Sequence, residues 1–158
     1  MQIDLQLATE ENIPIPEPTS FQAWADAVAV RLLPQNADLT GCCIRLIDND
    51  EMQAINREFR GQDKPTNVLS FPLSAQLDEG LHWLGDILIC APLVIAQAAE
   101  QKKPAQAHWA HLTVHGLLHL LDYDHENDKD AEVMENLEIA ILAGLGFANP
   151  YEPEAAAS

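Results

Sequence analysis

The sequence predicts an α+β fold with α/β character in its first half: a small mixed sheet of about four strands flanked by about five helices. Three observations carry this reading. Short apolar or alternating runs separate helical patterns as far as Cys90, and the pattern from Ala91 onward is helical. The chain has 158 residues, which suits one domain burying roughly two thirds of its unfolded surface. That domain is expected over residues 1–150, with 151–158 a flexible tail.

The elements follow in order. Ile3 to Leu7 alternates apolar and polar residues, as a half-buried strand does. The proline-rich NIPIPEP interrupts the chain, and Ser20 then suits the N-cap of a helix reaching about Leu33, with Phe21, Trp24, Val28 and Leu32 on one face. Cys42 to Ile47 reads as a strand. The acidic DNDE opens a helix through Phe59, its carboxylates at the positive end of the helix dipole. NVLSF is a short strand stopped by Pro72, Leu73 to Leu81 an exposed loop, and Leu84 to Cys90 a mostly buried strand. Helices are expected over Ala91 to Gln101, Pro104 to Leu121 and Asp130 to Leu145, the last ending at Gly144 or Gly146.

Composition narrows the function classes. Hydrophobic residues make up 47% of the chain and charged residues 21%, which excludes a disordered polypeptide. No apolar run approaches the roughly 20 residues needed to cross a bilayer, and MQIDLQLATEENIP has no signal-peptide character. Cys42, Cys43 and Cys90 make no disulfide framework; neighbours on a strand face opposite ways, and buried free thiols are expected. The formal charge is −17, from 8 basic and 25 acidic residues, a surface that repels phosphate backbones at long range. The acid is uneven, however. Arg57, Arg60 and Lys64 cluster mid-chain, whereas beyond Asp122 the sequence is strongly acidic.

The chemistry concentrates in HGLLHLLDYDH, His115 to His125. At about 100° per residue, His108, His111, His115 and His119 fall on one helix face, and His115 and His119 are one turn apart. Their imidazoles can reach one ion from a rigid element. On a continuing helix His125 would lie about 240° away from His119 around the axis, so the chain must leave the helix near Leu121 and fold back. Asp122 stands where that turn needs a left-handed residue, which Asp tolerates less well than Gly. Three histidines at this spacing form a recurrent catalytic zinc pattern with a fourth position open to water. The metal site is thus expected on a helix of the C-terminal half and the turn after it. Imidazoles also suit nickel, copper and iron. His108 and His111 read as supporting or packing residues, and His82 as a surface residue. Gly116 occupies the position where HExxH metalloproteases carry their glutamate base, which argues against a peptidase. Three neutral imidazoles leave the full double charge of a zinc ion, which lowers the pKa of its water to about 7 and suits phosphodiesters.

HGLLHLLDYDH, RGQDKPTNVLSFP, LGDILI, AHWAHLTVHG and LGF…NPY together resemble the YbeY family of bacterial endoribonucleases, over about Asp48 to Tyr151. The resemblance implies a small mixed sheet flanked by helices, one zinc ion on His115, His119 and His125, and an important arginine, here Arg60. It also implies a cytoplasmic enzyme that acts on single-stranded ribosomal RNA in maturation and ribosome quality control. Its partners would be ribosomal RNA, ribosomal particles and ribosome-associated proteins. The sequence departs from the family at Asp122, where the motif carries glycine. Arg60 begins a loop, where a guanidinium can offer paired donors to a phosphate, and Lys64 stands in the same loop. Ser70 and Phe71 read as edge-pairing or packing residues, or as a substrate edge beside the metal. RNA is expected to engage a local basic cleft around Arg60 and the zinc, with contacts to the ribosome supplying further affinity. Two rival readings are a ribosome assembly factor with a structural zinc and a zinc peptidase.

Overall fold

The computed structural model describes residues 1–152 apart from 11, 36 and 77–79, with backbone alone at 37 and 74–76. Strand β1 (Gln2–Leu7) leads through helix α1 (Pro18–Leu32) and a 3-10 turn (Ala37–Leu39) to β2 (Thr40–Ile47). Helix α2 (Asn49–Arg60) and strand β3 (Val68–Gln76) precede β4 (His82–Cys90), and α3 (Ala91–Glu100), α4 (Ala105–Leu120) and α5 (Asp128–Gly144) complete the chain. The strand order is β1-β2-β4-β3. The first two pairings are parallel and β3 with β4 is antiparallel, so the expected four-stranded mixed sheet and five α-helices are present.

Alternation along the strands makes two unequal cores. Ile44, Leu46, Ile87 and Ile89 face one side, where they pack with Phe21, Trp24, Trp109, Leu117, Leu118 and Leu142 of α1, α4 and α5. Ile47, Leu69, Leu88 and Cys90 face the other, covered by Met52 of α2. Helix α4 is buried nearly all round, with ten buried residues, and its half-buried polar face is the narrow stripe of His111, His115 and His119. A rigid central helix is thereby available to hold side chains at fixed positions. Cys42 and Cys90 are fully buried and Cys43 nearly so, and none of the three is in a disulfide. Burial, with neighbouring negative groups, pushes the Cys42 thiol up to about 12 and that of Cys43 to about 11, so both stay protonated. Among the described residues no helix is long and apolar enough to cross a membrane.

Four boundaries differ from the sequence expectation. Helix α1 begins at Pro18, not after Ser20, because proline fits a first turn that needs no donor there. Helix α5 starts at Asp128, two residues early: Asn127 accepts from the Asp130 amide at 2.9 Å and caps the helix. His82 is the first residue of β4, not part of a loop. Strand β3 runs through Pro72 to Gln76 where a loop was expected from Leu73; positions 77–79 of that loop lie outside the described residues. Pro72 is tolerated because β3 is an edge strand and the register shifts between Pro72 and Ala75.

Gly85 makes that irregularity possible. It pairs with Pro72 at φ 133°, and a Cβ there would lie 2.2 Å from the Phe71 carbonyl oxygen. Backbone has to move to admit a methyl group. Gly85→Ala is expected to cost about 3 kcal/mol by urea denaturation; a loss below about 1 kcal/mol would mean the edge strand is freely deformable.

Candidate functional site

Helix α4 reaches the site because Gly116 lets it approach the sheet. The Ser70 hydroxyl donates to the Gly116 carbonyl at 3.0 Å, and a Cβ on Gly116 would meet Cγ2 of the buried Ile87 at 2.9 Å. Position 116 therefore faces β3 and β4, where a glutamate would strike the sheet. His115 and His119, one turn apart, lie on the adjoining half-buried face, about 60–100° around the axis from Gly116.

The chain then leaves the helix by a left-handed turn. Asp122 has φ 72°, its amide donates to the His119 carbonyl at 3.1 Å, and the Tyr123 amide donates to that of Leu118 at 3.0 Å. This is a Schellman motif with aspartate in the glycine position. The Asp124 carboxylate accepts from the His125 amide at 2.5 Å, and exposed His125 comes back over α4. The ring centres of His115, His119 and His125 lie 4.6, 5.2 and 5.7 Å apart, and one donor atom from each falls within 4.8 Å of the others. Nε2 of His115 and Nε2 of His119 are 3.1 Å apart. Tetrahedral zinc with nitrogens at about 2.0–2.1 Å places them about 3.3 Å apart, so the donor set fits such an ion. Burial, then His115 and His125, push His119 below its ordinary value against the opposing Asp124 charge and Tyr123 backbone. That favours the neutral form a metal requires. Asp122→Gly removes the left-handed penalty and is expected to raise stability by about 0.5–1 kcal/mol in chemical denaturation; an unchanged midpoint would mean the aspartate compensates through its side chain.

Behind the cage lies a buried carboxylate. Glu138 of α5 is fully buried, and its Oε1 accepts from His115 Nδ1 at 2.5 Å. Oε2 accepts from the Tyr151 hydroxyl and lies 3.7 Å from His111 Nε2. Burial opposes ionisation of Glu138, but hydrogen bonds from His111, His115 and Tyr151 outweigh it and hold the carboxyl at about 2. Burial and the same carboxylate push the Tyr151 hydroxyl up. His108 stands apart from the cage, buried and bonded to Gln97 at 2.9 Å. Its packing role agrees with expectation.

Burial, with His111 and Lys103 nearby, lowers His108 to about 4. The unfolded chain then binds a proton from about pH 6.5 downward that the folded chain refuses until about pH 4. The stability from this group is complete above pH 6.5 and lost towards pH 4. His108→Gln should flatten that stretch of the urea-midpoint profile; an unaltered slope would assign it to other groups.

The cage opens on a cleft of about 1040 Å³ that Arg60, Lys64, Asn56 and Ser70 also line. Arg60 is the last residue of α2, and Gly61 ends the helix at φ 68°. The following loop is fastened from beneath by buried Asn56, which donates to the Lys64 carbonyl at 2.8 Å. Among the described residues Arg60 has no ion-pair partner, whereas its neighbour Arg57 faces Asp63 at 3.8 Å. The local basic cleft expected around Arg60 is corrected to one of mixed charge: Asp122, Asp124 and Glu126 line it too. Against Arg60 and Lys64 they leave a formal −1, which a divalent ion would turn to +1.

A family model described as Endoribonuclease YbeY matches residues 7–146. The chain belongs to the YbeY family. It is therefore an endoribonuclease of the family that acts in ribosomal RNA maturation. The solution structure of TM1509 from Thermotoga maritima is similar in fold, with a TM-score of 0.53 at 22% identity, covering 94% of this chain and 99% of that one. Within the YbeY frame, sequence reasoning named the three cage histidines and Arg60, and the structure brings all four to one cleft. It missed Glu138 and Tyr151. Glu138 stands on the buried stripe of α5 with Met134, Ile141 and Leu142, and an acid at that spacing was the available signal. Tyr151, expected at the start of a flexible tail, is instead tied to Glu138 and His111. Residues 153–158 of that tail lie outside the described residues.

Proposed function

We propose that this chain is a zinc-dependent endoribonuclease of the cytoplasm, one domain over residues 1–150, that cuts single-stranded ribosomal RNA in maturation and ribosome quality control. The observation that carries it is the opening of a three-imidazole cage, and of an arginine with no ion-pair partner among the described residues, onto one cleft. His115, His119 and His125 would hold one ion, and the exposure of His125 leaves its outer side to solvent. When bound, the ion supplies a Lewis acid that polarises a phosphoryl oxygen and acidifies a hydroxyl placed beside it. Arg60 offers its fork of N–H donors to the non-bridging oxygens, where negative charge grows in the transition state. Lys64 adds a mobile charge in the same loop. The Ser70 hydroxyl, committed to the Gly116 carbonyl, holds α4 on the sheet.

With a surface at −17, bare RNA gains little long-range attraction, so contacts with ribosomal particles and their proteins are expected to supply affinity. Digestion of ribosomal RNA with and without chelator tests the reading. Cleavage should stop and return on zinc addition; full cleavage in excess chelator would sink it. A 2′,3′-cyclic phosphate on the products would identify the substrate's own 2′-hydroxyl as nucleophile, and a 5′-phosphate with a 3′-hydroxyl would identify water. A structural zinc is disfavoured by the cage's position on an open cleft, and a peptidase by the sheet behind Gly116.

A further inference from the structure

We propose that Glu138 is a positioning residue for the metal centre, orienting His115 from behind, and that the docked Pro150–Tyr151 segment completes its hold. The inference rests on the three-histidine reading above. A buried carboxylate costs several kcal/mol unless its oxygens are satisfied, and an apolar residue at position 138 would serve the core of α5 better. Yet all the described partners of Glu138 belong to the histidine face or the C-terminal segment: His115 on Oε1, Tyr151 and His111 on Oε2. The Oε1 contact at 2.5 Å takes up Nδ1 of His115 and leaves Nε2 as the ring nitrogen that can ligate. That is the atom facing Nε2 of His119 at 3.1 Å. Glu138 thus selects the nitrogen that can ligate and aims it into the cage.

The carboxylate is in turn held by the chain's end. The Lys103 ammonium donates to the Pro150 carbonyl at 2.7 Å, and the Tyr151 ring stands edge-on to His111 with ring centres 5.3 Å apart. The Tyr151 hydroxyl reaches Glu138 from there. His111, His115 and Glu138 also gather three donor atoms within 4.8 Å. A second ion there would need Nδ1 of His115, and a 2.5 Å gap to Oε1 is a hydrogen-bond distance, too short to bracket a metal with two bonds of about 2.0–2.2 Å.

Zinc affinity measured by chelator competition on the full chain, with the visible spectrum of the cobalt(II)-loaded protein, tests this. Glu138→Gln keeps size and an acceptor but loses the charge; Tyr151→Phe keeps the ring. The expected result is one zinc per wild-type chain, an affinity lowered about 10–100-fold in Glu138→Gln and by less than about 10-fold in Tyr151→Phe, and an altered cobalt spectrum in the first. Wild-type affinity and spectrum in Glu138→Gln would overturn the proposal while leaving the cage standing. Two zinc ions per wild-type chain, falling to one in Glu138→Gln, would also overturn it by making Glu138 a ligand. A wild-type chain that binds no zinc would overturn the three-histidine reading itself.

Discussion

His119→Ala is expected to lower RNA cleavage by about 10³-fold or more while the metal-free protein melts within a few degrees of wild type. The site is peripheral to the main core: Leu117, Leu118 and Leu120 bury α4 from the other side, and His119 itself is half-buried. The loss should extend beyond catalysis. Without the ion, Arg60 and Lys64 face three carboxylates at formal −1, and with it the balance becomes +1. Binding of a non-cleavable RNA should therefore weaken in His119→Ala and in chelated wild type alike, most clearly at low salt. Cleavage assay, RNA binding and thermal melting of the same sample decide the matter. Global unfolding on metal removal would mean the ion is structural; unaltered cleavage would remove His119 from the centre.

The parts of this site that sequence reasoning reached are those set by local geometry. Periodicity along α4 puts four histidines on one face, and Asp122 marks where the chain turns to bring His125 back. What it missed depends on packing between distant segments. Glu138 is 23 residues from His115, and although its spacing with Met134, Ile141 and Leu142 puts it on the buried stripe, nothing local says that it meets a histidine. Tyr151 follows the last helix in a stretch whose composition reads as unanchored, and only the meeting of α4 and α5 creates its binding place. The cleft's acidity escaped for a related reason. Asp122, Asp124 and Glu126 belong to the acidic stretch that the sequence contrasts with the mid-chain basic cluster, and the turn that delivers His125 carries them into the cleft that Arg60 lines. Pro72 misled in the opposite sense: proline ends most strands, but here an edge position and Gly85 across from it let β3 continue.

Arg60→Ala is expected to cut the cleavage rate about 10²–10³-fold with zinc content unchanged. The division of labour follows from position. Arg60 lines the cleft on the α2 side, and the described contacts of the cage histidines are with one another, His111, Glu138 and the turn. Removing the guanidinium should leave the ion in place and strip the transition state of its second cationic partner. Arg60→Lys separates charge from shape. A lysine restores one positive charge but offers a single point of donation where the guanidinium offers a planar pair, so it should recover no more than about 10-fold of the loss. The effect should fall on kcat more than on KM if the arginine meets charge that grows during the reaction, because ground-state phosphate already binds other cations. A variant in which KM alone rises, or in which lysine restores full activity, would make Arg60 a substrate-docking residue and leave stabilisation of the phosphoryl charge to the ion.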